Sequence, residues 1–188
     1  MQTMDAIRKR CSLKTHLSSR PVDAEDVQAV LHAATLAPSA RNTQPWRFVV
    51  VQGKEAVDSL VDAAFSEKSA VIREAPVIIV ACSRPADGAT VEGREYYLYD
   101  LGSAVQNLLL AATDRGLVTH LIASFDEDAL KRELRIPEDV RAVVATPLAH
   151  PSTASYDEAA EERLRERSRM DVSELTFHDV WGKRIGHM

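Results

Sequence analysis

A segment near the middle of the chain, residues 101–112, constrains the fold more than any other part of the sequence. Its letters, LGSAVQNLLLAA, place apolar side chains around nearly the whole circumference of a helix. A helix that is apolar all round is buried in the core or faces a partner subunit. We expect Asp100 to cap its start and Gly116 to form the left-handed turn after its last residues.

The length and composition are typical of one soluble globular domain. A chain of 188 residues is long enough for one core and short for two, so we expect a single domain over residues 1–188. The net charge of −5 argues against a nucleic-acid partner recruited by bulk electrostatics. No apolar run could span a membrane, and the start, MQTMDAIRKR, lacks the apolar region of a signal peptide. We therefore expect a cytoplasmic protein with no membrane partner.

Hydrophobic spacing predicts helices and strands that alternate along the chain. Helices are expected over residues 3–10, 24–36, 54–65, 126–134 and 157–167, and strands over 48–51, 76–82, 119–124 and 141–150. Asp126 is expected to cap the helix that follows it. The run PVIIVAC at 76–82 is apolar at consecutive positions, so this strand should be covered on both faces. Alternation alone favours a parallel α/β sheet, but the glycine-rich phosphate turn of dinucleotide-binding folds is absent. A ligand must therefore be held in another way.

Several common chemistries lack their sequence signals. The six histidines never fall at H-x-x-x-H spacing and no C-x-x-C occurs, so we expect no metal site. No G-x-S-x-G motif indicates a nucleophilic serine. Cys11 and Cys82 are expected to be reduced thiols. The basic neighbours of Cys11 would lower its pKa, which leaves a reactive thiol as a minor alternative.

Two basic segments are candidate anion sites. They read RKRCSLK at residues 8–14 and RLRERSR at residues 163–169. Guanidinium groups bind phosphate with paired hydrogen bonds, and the hydroxyl of Ser12 adds a directed donor. A solvated charged surface is the alternative for both segments, and composition alone favours it.

Four motifs together resemble those of the nitroreductase family of flavin enzymes. The loop PSARNTQPW at 38–46 resembles the signature P-S-x-x-N-x-Q-P-W, and KRCSLK resembles R-x-S-x-[KR]. The stretch DLGSAVQNLLLAATDRGLVTHLIASFDEDAL resembles the family's central helix, the strand after it and an F-D helix start, and RERSR resembles a late [KR]-x-R. The resemblance extends from Ala6 to about Trp181. It implies an α+β sandwich with a mostly antiparallel central sheet flanked by helices, and an intertwined homodimer whose tail, about 170–188, packs on the partner.

The resemblance also implies an FMN site and the residues that form it. The phosphate and ribityl chain would be held by the N-terminal segment and the late basic pair, namely Arg10, Cys11, Ser12, Arg167 and Arg169. Lys14 would approach the N1/O2 edge of the ring, where a cation favours the reduced cofactor. Backbone groups of Leu121, Ile122 and Ala123 would lie beside the ring. The partner subunit would contribute the loop residues Pro38, Ser39, Arg41, Asn42 and Gln44. A structural role within the loop explains Asn42 and Gln44 equally well.

The implied reaction is a ping-pong transfer of electrons from NADH or NADPH to a small electron-poor acceptor, a nitroaromatic compound or a quinone. No side chain is expected to act as a catalytic residue, because the cofactor carries the chemistry. Other flavin chemistries of the family, dehalogenation, dehydrogenation and flavin fragmentation, stay open. A flavin-binding dimer without turnover, in which Arg41 blocks the acceptor pocket, is a further alternative. The chain departs from the family's pattern in three places. Arg41 stands where a serine or glycine is usual, and TPLAHP stands where G-Y-P is common. The middle of the chain is short and lacks the extra helices that cover the flavin in longer members.

Overall fold

A three-stranded antiparallel sheet forms the centre of the structure, a computed structural model that describes residues 1–184. Strands β1, Trp46–Gln52, and β5, Arg141–Leu148, pair on either side of β2, Val77–Ser83. A two-stranded hairpin, β3 Thr90–Val91 and β4 Arg94–Glu95, lies apart from this sheet. The prediction of a mostly antiparallel sheet within an α+β fold is therefore confirmed.

Seven α-helices surround the sheet in the described part of the chain. They are α1 Thr3–Lys9, α2 Ala24–Thr35, α3 Lys54–Ala64, α4 Tyr97–Asp114, α5 Glu127–Leu134, α6 Tyr156–Arg165 and α7 Val172–Leu175. Short 3-10 turns occur at Ala40–Asn42, Ala70–Glu74 and Pro85–Asp87. None of the helices within residues 1–184 is both long and apolar enough to cross a bilayer. Residues 185–188, which belong to the predicted tail, lie outside the described residues.

Strand β2 is buried along its whole length because helices cover both of its faces. Val77, Ile79 and Ala81 belong to a core cluster with residues of α2 and α4. The alternate residues, among them Ile78 and Val80, belong to a second cluster with α3 and α5. Full burial of a valine or isoleucine side chain contributes about 1.5–3 kcal/mol. The predicted two-sided burial of this strand is thus confirmed, and it fixes the layer order helix, sheet, helix.

The central helix α4 begins earlier than expected. It starts at Tyr97, and Asp100 lies inside its first turn instead of capping it. The predicted cap is wrong because the Asp100 carboxylate accepts a hydrogen bond from a different loop, at Ala40. One stripe of the helix, which includes Gly102 and Gln106, is exposed although the opposite face is buried. The left-handed turn at Gly116 is confirmed, with φ of 70°.

The segment after α4 is not the regular strand that the sequence predicts for residues 119–124. It runs antiparallel to β5 and pairs with it only at isolated bridges, Val118 with Ala149 and Ile122 with Ala145. Between them the backbone N–H of His120 donates to the hydroxyl of Thr146, so the ladder is interrupted by a side chain. The segment therefore lies beside the sheet without joining it as a full strand, and residues 120–124 line a cleft.

Candidate functional site

The N-terminal basic segment and the end of α6 border one cleft, here called the basic cleft. Its volume is about 280 Å³, and its lining includes Arg10, Cys11, Ser12, Arg163, Glu166, Arg167, Ser168 and Arg169. Four guanidinium groups thus face a single carboxylate. The Nη1 of Arg167 donates to the backbone carbonyl of Arg10 at 3.3 Å, which joins segments 157 residues apart. Such a group of donors suits a phosphate.

Tyr156 fixes the N-terminal segment against α6. Its side chain is 6% exposed, and its hydroxyl accepts the N–H of Cys11 at 3.2 Å and donates to the carbonyl of Lys9 at 3.3 Å. Lys9 also pairs with Asp157 at 2.7 Å. The first turn of α6 therefore sets the position of the backbone on both sides of Arg10.

Cys11 lines the basic cleft but is not an activated thiol. Burial raises its pKa, and this outweighs the lowering by the hydrogen bond to Tyr156 and by the charges of Arg10, Arg167 and Arg163. The basic neighbours lower the pKa as expected, but the expected net lowering is wrong, because the side chain is buried. The basis for a reactive thiol is thereby removed.

A second cleft, here called the lysine cleft, lies where the 118–122 segment leaves the sheet. It has a volume of about 450 Å³ and is lined by Lys14, Thr15, Lys68, Ser69, Val71, His120, Leu121, Ile122, Ala123 and Ser124. Leu121 is 38% exposed here, whereas the Ile122 side chain is buried in the core beneath α3 and α5. The N–H and the carbonyl of Ile122 both bond Ala145, so this residue has neither its side chain nor these backbone groups free for a ligand.

His120 in the lysine cleft is polar, partly buried and incompletely bonded. Its Nδ1 is buried and has no hydrogen-bond partner among residues 1–184. Burial, followed by the charges of Lys14 and Arg163, lowers its pKa, so the ring is neutral near pH 7. A buried polar atom of this kind is usually satisfied by a ligand or water.

A third cleft of about 300 Å³ joins the first two. It shares Ser12, Arg163 and Glu166 with the basic cleft and Lys14 and Thr15 with the lysine cleft, and Glu162 also lines it. Because they share these residues, the three clefts adjoin one another, and we call them the track, with guanidinium groups at one end and Lys14 toward the other. The structure thus brings together Arg10, Cys11, Ser12, Lys14, Leu121, Ile122, Ala123, Arg167 and Arg169.

The loop at residues 38–44 does not reach this track within the chain. Of its predicted residues, Pro38, Ser39, Arg41, Asn42 and Gln44, none lines any of the three clefts. Gln44 bonds Asn42 through its side-chain amide, with its Nε2 3.2 Å from the Asn42 Oδ1, and its N–H donates to the hydroxyl of Ser39 at 3.0 Å. Within one chain these amides therefore serve the loop itself.

Asp100 holds the loop in a strained conformation, a role that was not predicted from the sequence. Arg41, Asn42 and Gln44 have φ of 54°, 56° and 49°, a region that side chains other than glycine seldom adopt. The Asp100 carboxylate, 1% exposed, accepts the N–H of Ala40 with oxygens at 3.1 and 3.2 Å. The available signal was an acidic residue at the start of an otherwise apolar helix.

A match to a family model shows which protein family the chain belongs to. The model of the nitroreductase family matches residues 7–70 and 66–150. The chain belongs to the nitroreductase family. Membership confirms the resemblance drawn from the four motifs. It accounts for the α+β fold, since solved structures of this family share it.

Individual relatives of this nitroreductase-family chain span nearly its whole length. A protein of Archaeoglobus fulgidus, provisionally named NADH dehydrogenase/NAD(P)H nitroreductase, is 29% identical over 168 residues, 87% of this chain and 93% of its own. The crystal structure of a nitroreductase family protein of Clostridium difficile 630 superposes with a TM-score of 0.79 at 25% identity, covering 96% of this chain and 99% of the other. An oxidoreductase described as containing FMN has the same fold, with a TM-score of 0.78 at 22% identity, covering 95% of this chain and 92% of the other.

No group of three or more histidine, cysteine, aspartate or glutamate side chains is placed to hold a metal ion within residues 1–184.

Proposed function

We propose that the protein is an FMN-dependent oxidoreductase that passes electrons from NADH or NADPH to small electron-poor acceptors, nitroaromatic compounds or quinones. The observation that carries this proposal is the track of three adjoining clefts, cationic at the phosphate end and bordered by Lys14 toward the other. Membership in the nitroreductase family and the FMN reported for a protein of the same fold support it.

The donor set of the basic cleft fits the phosphate of FMN. Arg10, Arg167 and Arg169 would bind the phosphate oxygens, and Ser12 would donate through its hydroxyl. Charge-assisted hydrogen bonds of this kind contribute about 1.5–3 kcal/mol each. Glu166, the carboxylate in this lining, lies among four arginines, so the cleft keeps a positive charge.

The groups of the lysine cleft fit the ring end of the cofactor. FMN, when bound, supplies two-electron redox chemistry, receiving hydride from NAD(P)H and returning the electrons to an acceptor. Lys14 would stabilise negative charge at the N1/O2 edge of the ring. The backbone beside Leu121 and Ala123 would border the ring, and the apolar side chains there would exclude water.

The overall reaction balances without a protein nucleophile. A nitro compound, NAD(P)H and one proton give the nitroso compound, NAD(P)⁺ and water; a quinone gives the hydroquinone. Both half-reactions use the same cleft, so the oxidised nicotinamide must leave before the acceptor enters. The residues position the reactants and balance their charge, and we assign none of them as an acid, base or nucleophile.

We also propose a homodimer whose second subunit completes the site. Several large apolar side chains are exposed in the single chain, including Trp181, 89% exposed, and Val172, Leu175 and Val180 in the tail. Apolar surface of this extent marks an interface. In such a dimer the loop residues Pro38, Ser39, Arg41, Asn42 and Gln44 of the partner would approach the track.

Steady-state turnover tests the proposal. Purified protein loaded with FMN should oxidise NADH or NADPH with a quinone much faster than an equal concentration of free FMN. The variant Lys54→Gln, at the start of α3 and outside the lining of all three clefts, should match the parent rate. A rate no higher than that of free FMN would contradict the proposal and favour a flavin-binding dimer without turnover.

A further inference from the structure

We propose that Lys68 selects electron acceptors that carry a carboxylate or a similar anionic group. This inference deepens the proposed function and rests on it. It concerns the lysine cleft, where Lys68 borders the same space as Lys14 and the segment from His120 to Ser124.

The charge of the lysine cleft is unbalanced. Lys14 and Lys68 contribute two cations, and the lining contains no carboxylate. Neither lysine takes part in an ion pair within the described part of the chain, whereas Lys9 and Lys54 both do. His120 adds no charge near neutral pH, because burial and the nearby Lys14 lower its pKa. In a protein of net charge −5, this cleft is a local positive region that attracts anions.

The two lysines have different tasks under the proposed function. Lys14 also borders the middle cleft and is assigned to the cofactor ring. Lys68 lines only the lysine cleft among these three, whereas Lys14 lines two of them. It is therefore the cation available to a second ligand. Val71 and Leu121 supply apolar surface in the same cleft, as a planar aromatic acceptor requires.

The backbone around Lys68 is held in place. The N–H of Ser69 donates to the carbonyl of Ser66 at 2.8 Å, and the N–H of Ala70 donates to that of Glu67 at 3.3 Å. The Ser69 side chain, 8% exposed, lies with its Oγ 3.3 Å from the Oγ of Ser124, which lines the same cleft. Lys68 thus stands on a turn that is joined to the 118–124 segment, and the neighbouring Glu67 does not line the cleft.

A matched pair of acceptors tests the inference. The holoenzyme and the variants Lys68→Gln, Lys68→Arg and Lys54→Gln would be assayed with 4-nitrobenzoate and the neutral 4-nitrobenzamide. Lys68→Gln should lower kcat/KM for the anion about tenfold, as expected for one partly exposed charge-assisted contact, and leave the amide within about twofold. Lys68→Arg should keep the preference for the anion. Lys54→Gln, which removes the same charge on α3, should behave like the parent.

A binding measurement separates selection from turnover. Titration calorimetry with benzoate, which is not reduced, should show the same loss on Lys68→Gln, with benzamide unaffected. Equal losses for both acceptors, or a loss of FMN affinity in Lys68→Gln, would overturn the inference. So would an effect confined to the KM of NADPH, since the lysine would then serve the dinucleotide phosphate. If the parent protein binds no FMN and reduces neither acceptor, the proposed function fails first, and this inference fails with it.

Discussion

Replacement of Asp100 by alanine should loosen the strained loop at residues 39–44. Three residues of this loop lie in the left-handed region, which costs roughly 1–2 kcal/mol for each ordinary side chain and less for asparagine. A hydrogen bond from a buried N–H to a carboxylate contributes about 1.5–3 kcal/mol. The bond from Ala40 to Asp100 is therefore comparable to the strain that it opposes.

We expect Asp100→Ala to lower the free energy of unfolding by about 2 kcal/mol. For a chain of this size, that corresponds to a fall in Tm of about 4–8 °C. Asp100→Asn retains an acceptor for the Ala40 N–H and should lose roughly half as much. Thermal unfolding followed by circular dichroism gives the Tm, and hydrogen exchange should report faster exchange at residues 39–44 in the alanine variant.

Ser103→Ala is the matched control, because its hydroxyl lies on the same helix and bonds the carbonyl of Tyr99 rather than the loop. It should leave exchange in the loop unchanged. The reasoning would be refuted if Asp100→Ala kept the parent Tm and exchange rates. Equal damage from the alanine and asparagine variants would show that charge at the start of α4, rather than the bond to Ala40, is what matters.

Three further predictions concern the anchor of the basic cleft, an ion pair and the exposed stripe of α4. Tyr156→Phe removes the acceptor of the Cys11 N–H and should cost about 1–2 kcal/mol in urea unfolding; an unchanged midpoint would contradict the anchoring role. The hydrogen bond from Arg141 lowers the pKa of Glu127, so its contribution is present at neutral pH and is lost as pH falls through the lowered pKa. Parent and Glu127→Gln should therefore differ in Tm at neutral pH and converge as the pH falls below the ordinary range of a glutamate, whereas a constant difference would exclude linkage. Gly102→Leu should weaken the proposed dimer about tenfold in sedimentation analysis, and an unaltered dimer would exclude close packing at Gly102.

Local sequence signals predicted most of the helices and strands, but their alternation favoured a parallel sheet, and the observed antiparallel pairing followed only from the family resemblance. The two predicted helix caps show where local signals succeed and where they fail. Asp126 accepts the N–H of Ala129 at 2.9 Å as expected, whereas Asp100 does not cap its helix and bonds a distant loop. Both are acidic residues before or within helical patterns, and only tertiary packing distinguishes them. The segment at 119–124 has the composition of a strand, yet the hydroxyl of Thr146 interrupts its pairing with β5.

The site was predicted by resemblance rather than by local pattern. No spacing rule relates Arg10 to Arg167, which meet because Tyr156 and Asp157 attach the start of α6 to the N-terminal segment. Lys68 gave no sequence signal, since an isolated lysine in a polar turn is typical of any surface. Its place in the same cleft as Lys14 follows from the sheet and the turn at residues 66–70, which sequence periodicity does not describe.

Binding of FMN to the apoprotein tests the central claim most directly. The parent protein, freed of flavin and titrated with FMN, should bind one FMN per chain and become yellow. Arg10→Ala combined with Arg169→Ala should weaken binding by several kcal/mol, because each charge-assisted contact contributes about 1.5–3 kcal/mol. Arg8→Ala with Arg165→Ala, which removes two arginines that line none of the three clefts, should bind like the parent. Equal affinity in the parent and the Arg10/Arg169 double variant would contradict the assignment of the basic cleft to the cofactor phosphate.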